Sequence, residues 1–281
     1  MSRLGELALR AYVGLLPKKP VGRLTSVETY FNWQYETSEK MFATFPEFDF
    51  RNKRILELGC GIGGRAAWLA RNGAREVVGI DISVADIRSA VQVKNKLYPD
   101  LNNVSYHPCK EDELLTELGE FDAVLLLDSI EHVVSPLKIL QLARKYVKPG
   151  GHVYFTTIGW FHHAGSHLGI PFATVFFSDE TLLNFVRWQV SRPDYQPTDW
   201  DSNPPIAKWE GVYDLRDRPG EYLNKITIRE MKKLVHYAPY RRGRVITIGF
   251  RNARVRWLNP LRHVPIINEV FHSAVVGMLE A

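Results

Sequence analysis

"ILELGCGIGGRAAWLA", residues 55–70, joins an apolar run to a helix-like run through four glycines packed into six positions. A strand that ends in glycines and turns at once into a helix lets the backbone come close to a bound phosphate or ribose. Gly59, Gly61 and Gly64 satisfy the dinucleotide spacing G-x-G-x-x-G, a pattern of low specificity by itself. Asp81 closes the next strand-like run, 22 residues after Gly59. A carboxylate there can accept from both ribose hydroxyls of an adenosine cofactor. Glu57 stands two residues before the first glycine, where its charge repels a pyrophosphate and suits a cation.

The pattern extends outward on both sides. Strand-like runs are RILEL (54–58), EVVGID (76–81), NVSYHP (103–108), FDAVLLLD (121–128) and GHVYFTTI (151–158). Helix-like runs fall between them, among them 83–97 with Ser83 as N-cap and 135–147 with Ser135 as cap and Pro136 in the first turn. Strands alternating with helices predict a mostly parallel sheet covered on both faces. The segment 1–50 reads as N-terminal helices, one amphipathic and closed by Pro17 and Pro20, another within 26–45. The core spans 51–158. After Ile158 the rhythm breaks, and 159–226 reads as an inserted aromatic-rich cap with a short helix at 179–189. The core resumes over 227–281, where Thr227 and Glu230 form a capping box and GRVITIGF (243–250) and HSAVVGML (272–279) supply two more strands.

The chain has 281 residues, 45% apolar and 24% charged, which is a globular composition. Cys60 and Cys109 are the only cysteines. That excludes a disulfide scaffold and fits a reducing cytoplasm. No apolar run reaches the roughly 18 residues of a spanning helix, and no signal-peptide pattern opens the chain. The net charge of +5 leaves a solvated surface, an anionic membrane or RNA as readings.

The glycine turn, Glu57, Asp81, the run FDAVLLLDSIEHVVSP (121–136) and KPGG (148–151) together resemble the class I S-adenosylmethionine (SAM) methyltransferases. The resemblance covers 54–158 well and 226–281 by pattern. It implies a Rossmann-like, doubly wound α/β fold of seven strands with the last antiparallel. Glu57, Gly59, Cys60 and Gly61 are then expected at the amino-acid end of SAM, Asp81 and Ile82 at its ribose, and Leu127 alongside. The family often carries Asp just after the third strand. Here that place is Lys110, so Glu111 or Asp112 is expected at the adenine. Cys60 reads as a small apolar filler of the turn, with nothing basic beside it to make a nucleophile.

Asp128, Glu131 and His132 follow the fourth strand, at the edge where open α/β sheets bind ligands. GWFHHAGSHL (159–168) follows the fifth strand and places His162, His163 and His167 within six residues. Carboxylates and histidines at one rim have the composition of a site for Mn, Fe, Zn or, less well, Mg. Such a cation would acidify and orient an acceptor hydroxyl. The run is similar to the E-x-x-E-H metal signature of ubiquinone-biosynthesis O-methyltransferases and small-RNA 2′-O-methyltransferases, with Asp128 in place of the first Glu. His163 is the first candidate to complete the set, then His167, then His162. The alternative is a metal-free site with His132 as general base.

SAM needs no acid to lose its methyl group, because the departing sulfur becomes neutral; the demand falls on a deprotonated, desolvated nucleophile. The aromatic cap suits a hydrophobic small-molecule acceptor, with Trp160, Phe161 and His162 nearest the transferring methyl. The predicted function is O-methylation of a phenol, quinone precursor or lipid-linked hydroxyl. The rivals are RNA 2′-O-methylation, C- or N-methylation, nicotinamide redox chemistry and a non-catalytic binding module. Arg241, Arg242, Arg244, Arg251, Arg254, Arg256 and Arg262 cluster late in the chain. Some alternate with apolar residues as an exposed strand or hairpin would. With the N-terminal helix they predict peripheral contact with the inner membrane face. No RNA-binding module is recognisable.

Overall fold

The computed structural model describes residues 2–16, 26–109, 118–193 and 223–281. Helices α1 (Ser2–Leu15) and α2 (Val27–Phe42) precede a core that alternates as the sequence pattern demands. It runs β1 (Arg54–Leu58), α3 (Gly64–Arg71), β2 (Glu76–Asp81), α4 (Val84–Leu97), β3 (Val104–Pro108), β4 (Phe121–Leu127), α5 (Pro136–Tyr146) and β5 (Val147–Thr157). Helices α6 (Ala173–Phe176), α7 (Asp179–Val190) and α8 (Ile228–Tyr237) follow, then β6 (Arg242–Ile248) and β7 (Ala274–Glu280).

The caps on α4, α5 and α8 are those expected, and α2 adds one at its start. Ser26, Ser83 and Ser135 accept from backbone N–H groups three residues on, and Thr227 with Glu230 closes a capping box on α8. Each such cap is worth about 1 kcal/mol.

The strand order is β3-β2-β1-β4-β5-β7-β6. β1 to β5 pair in parallel, and β7 is antiparallel to both β5 and β6. Successive residues of a strand serve opposite faces. Ile55, Val77 and Leu125 pack with α2, α3 and α4 on one side. Leu56, Val78, Val124 and Leu126 pack with α5 and α8 on the other. The chain direction across the sheet reverses between β1 and β4, so their carboxyl ends border the crevice where such sheets bind ligands.

The two N-terminal helices part company. α2 lies on α3, whereas α1 shares a third core with α7, in which Leu9 packs among Trp160, Ile170, Leu182 and Phe185. Gly5 permits this: a Cβ there would sit 2.9 Å from Thr181 Oγ1. Tyr12 adds a hydrogen bond to the Pro171 carbonyl. The late arginines also divide. Arg242 and Arg244 do lie on an edge strand, but Arg251, Arg254, Arg256 and Arg262 fall on a 3-10 arm between β6 and β7, where no strand forms.

Gly63 holds the start of α3 in a left-handed conformation at φ 75°. A Cβ there would meet the Tyr106 ring at 2.2 Å, and the Tyr106 hydroxyl donates to the Gly63 carbonyl. Gly63→Ala therefore combines left-handed strain with a clash against a buried ring. We expect a loss of about 2–5 kcal/mol in denaturant unfolding. Gly61→Ala, which meets nothing within 4 Å, should cost only the strain, about 1–2 kcal/mol.

Candidate functional site

The turn after β1 is built by its own backbone. Gly59 and Cys60 both donate to the Ile80 carbonyl, at 2.8 and 3.0 Å, which ties the turn to the end of β2. The Asp81 carboxylate then bridges two loops, accepting from Gly61 N and Ser83 N at 2.8 Å each. Burial raises its pKa, against those two bonds. Each oxygen keeps a further lone pair for a ligand hydroxyl. Ile82, beside it, is exposed at the rim. The Cys60 side chain points into the core against Gly79, and burial holds its thiol well above the usual range. Gly64 marks where α2 crosses α3: a Cβ would lie 2.3 Å from the Phe31 carbonyl, and its N–H donates to the buried Gln34 side chain.

Beneath the turn lies a buried charge cluster that the sequence reading missed in part. Glu57 is buried at the end of β1, and its Oε2 has no hydrogen-bond partner. Burial pushes its carboxyl up to about 8; Arg65 opposes the rise, while Asp81 and Asp128 add to it. Arg65, in the first turn of α3, is 5% exposed. Its guanidinium donates to the Leu127 carbonyl and, at 2.7 Å, to Asp128 Oδ2. A charged residue inside GGRAAWLA was the available signal for it.

Asp128 stands at φ 52°, a left-handed angle rare for a side-chain-bearing residue, just past β4. Thr156 donates to its other oxygen at 2.9 Å. The sequence reading grouped Asp128 with Glu131 and His132. Its carboxylate turns instead to Arg65 and Thr156, because a buried guanidinium needs an anion.

Glu131 and His132 form a single 3-10 turn after β4. One ligand atom each from Glu131, His132 and His167 falls within 4.8 Å of the others. The His132 and His167 rings meet edge to face, 5.0 Å between centroids. Glu131 is buried with Oε2 unpartnered, and burial, then the Asp128 charge, pushes its carboxyl up to about 8. Its carbonyl accepts from Asn224 N, and the Asn224 amide also donates to the Ile130 and Val133 carbonyls, which clamps the turn to the chain leaving the cap.

The other two histidines of 159–168 turn away from this group. His162 is buried against His163 and His272, ring centroids 4.0 and 4.9 Å distant. Burial pushes it down to about 3, with His163 and His272 adding to the fall. His163, the first candidate from the sequence, lies against His162 and Phe172. Trp160 is 6% exposed within the α1–α7 core, and Phe161 packs on that core's margin. Glu111 and Asp112 lie outside the described residues.

Residues 33–204 match the family described as "Methyltransferase domain". The chain belongs to the methyltransferase domain family. The match covers the glycine turn, Asp81, the Glu131 turn and the loop to His167 alike. The methyltransferase is 38% identical over 107 residues to a ubiquinone biosynthesis O-methyltransferase of Acinetobacter baumannii strain AYE, covering 38% of this chain and 44% of that one. It is 38% identical over 142 residues to a protein of the same description from Neisseria meningitidis serogroup C, covering 49% and 55%. The chain thus spans about half the length of the curated relatives it matches. The solved structure of an S-adenosylmethionine dependent methyltransferase from Mesorhizobium loti superposes on 91% of this chain and 100% of its own at 16% identity, TM-score 0.53, which shows the shared fold.

A carboxylate ending β2 can accept from both ribose hydroxyls of an adenosine cofactor. Asp81→Ala should therefore weaken SAM binding at least tenfold by calorimetry, since each charge-assisted bond is worth about 1.5–3 kcal/mol. Unchanged affinity would remove Asp81 from the cofactor site.

Proposed function

We propose that this chain transfers the methyl group of SAM to an oxygen of a hydrophobic acceptor: a phenol, a quinone precursor or a lipid-linked hydroxyl. The observation that carries the reading is the meeting of Glu131, His132 and His167 beside the crevice bordered by the glycine turn and Asp81. The names of the two curated relatives, ubiquinone biosynthesis O-methyltransferases, support the same acceptor class.

The residues present fit both SAM and a divalent cation. The unpartnered Oε2 of Glu57 suits the ammonium of the cofactor's amino-acid end, and Gly59, Cys60 and Gly61 supply close backbone. Asp81 takes the ribose, with Ile82 and Leu127 flanking. SAM supplies an electrophilic methyl on a sulfur that leaves neutral. A divalent cation, held by Glu131, His132 and His167, would lower the pKa of the acceptor hydroxyl. The unpartnered Oε2 of Glu131 and the mixed N/O donor set suit Mn, Fe or Zn.

The chain's own residues do the rest. Where no cation is held, His132, in the turn after β4, orients the acceptor hydroxyl and receives its proton. Arg65 pairs with Asp128, and Glu131 is the carboxylate grouped with His132 and His167. Trp160 and Phe161 pack into the core shared by α1 and α7 and so fix the start of the loop that carries His167.

The test uses protein purified without chelator and radiolabelled SAM, offered a panel of catechols and prenylated phenols. Labelled methyl ethers, SAM binding without NAD binding, and near-stoichiometric metal are expected. Tight NAD binding would overturn the cofactor assignment. Transfer to carbon or nitrogen would overturn the acceptor atom. Turnover untouched by chelator would leave His132 acting as a metal-free base.

A further inference from the structure

β7 is antiparallel to β5 and β6 is antiparallel to β7, so β5 and β6 run the same way. The chain leaving β6 at Ile248 therefore emerges on the same edge of the sheet as Gly159, the edge that carries the candidate site. The arm that follows, residues 249–273, is tied down at three points. The Arg251 guanidinium donates to the Lys40 carbonyl, the Glu269 carboxylate caps the first turn of α8 through Ile228 N and Arg229 N, and His272 Nε2 accepts from Gly159 N.

The arm's outer surface has an unusual composition for solvent. Trp257 is 73% exposed and Ile266 85%, with Val264 and Ile267 exposed beside it. Ile266 adopts φ 71°. A β-branched residue at positive φ is strained, and this one is exposed. Arg254 and Arg256 are exposed on the same arm, Arg251 is exposed and engaged with the Lys40 carbonyl, and Arg262 is half-buried with its Nε enclosed. The arm's sole acid is Glu269, and it is occupied at α8.

We propose that this arm is a membrane-docking surface for anionic phospholipid, with Trp257 and Ile266 entering the interface and the arginines meeting headgroup phosphates. Exposed Trp and aliphatic residues ringed by cations are the composition of an interfacial anchor. On RNA a base could stack on Trp257, but Val264, Ile266 and Ile267 would stay bare. Against a second copy, in the usual isologous contact, the arginines would face one another. The position at the site edge would bring a bilayer against the rim where a hydrophobic acceptor enters. The docking itself does not depend on the proposed transfer reaction.

The experiment is sedimentation of the full chain with sucrose-loaded vesicles, either pure phosphatidylcholine or phosphatidylcholine with phosphatidylglycerol in equal parts. Binding to the anionic vesicles alone, weakened by salt, is expected. Each arginine near such a surface contributes about fivefold, so Arg254→Ser with Arg256→Ser should weaken partitioning about thirtyfold. Trp257→Ser with Ile266→Ser should weaken it at least about tenfold. These exposed sites should leave circular dichroism unchanged. Equal binding to neutral vesicles, no binding, or tighter binding to a single-stranded RNA would overturn the proposal. So would loss on Leu4→Gln with Leu7→Gln, in the exposed face of α1, while the arm variants bind normally.

Discussion

His132→Ala should lower turnover of the methyl acceptor by 10²- to 10⁴-fold, the usual contribution of a positioned proton acceptor. That range is about 3–5 kcal/mol of barrier. SAM affinity should stay within about threefold, because His132 follows β4 whereas the proposed cofactor residues follow β1 and β2. Single-turnover transfer from labelled SAM separates the two quantities. The companion variants decide between a metal and a lone base. If Glu131, His132 and His167 hold a cation together, His167→Ala should also deplete metal by elemental analysis and fall nearly as far in rate, and combining the variants should cost little more. If His132 is a lone base, His167→Ala should keep most activity and no metal should be found. His163→Ala serves as a neighbouring control, since His163 turns toward Phe172. Normal turnover in both His132→Ala and Glu131→Ala would remove the turn after β4 from the chemistry.

Glu57→Gln should strip SAM affinity ten- to a hundredfold and yet stabilise the protein without cofactor. Burial holds the Glu57 carboxyl near 8 in the folded chain, against about 4.3 unfolded. The folded state therefore binds this proton more tightly. The stability it confers is complete below about pH 4 and is lost as pH climbs through about 8, where the cost reaches roughly 4–5 kcal/mol. Glutamine cannot ionise. Thermal unfolding of the cofactor-free variant at pH 8 should occur at least about 5 °C above the parent, with the difference gone at pH 4.5. SAM, by pairing its ammonium with the carboxylate, should erase the parent's deficit and do little for the variant. Equal melting temperatures at pH 8 would mean that Glu57 already has its counter-charge in Arg65. Parental SAM affinity in Glu57→Gln would place the cofactor's ammonium elsewhere.

Much of the fold was legible because its signals are local. β1 and β2 begin and end where the apolar runs RILEL and EVVGID do. A run bounded by polar turns needs no knowledge of its partners. Ser26, Ser83, Ser135 and Thr227 cap their own helices within three residues. The glycine turn was legible for the same reason: positive φ at Gly59 and Gly61 is a property of those residues, and Asp81 reaches Gly61 from the very next strand.

What the sequence by itself determined, then, is the alternating sheet, its seven strands and the edge that holds the crevice. Which side chains meet there was left to the tertiary structure. Asp128 and Glu131 look interchangeable as ligands along the chain. Arg65, 63 residues distant, takes Asp128, because burying a guanidinium without an anion costs far more than losing a surface contact. His162, His163 and His167 are chemically alike and lie in a loop without periodicity. The choice among them falls to long-range packing: His162 is drawn into the core by Ala164 N and His272, and a tight approach of Gly165 to the Trp160 carbonyl bends the chain. His167, at φ 54°, is thereby brought to His132. Likewise α1 joined α7 and not the sheet, since an amphipathic stripe specifies that it must be covered and says nothing of which core will cover it.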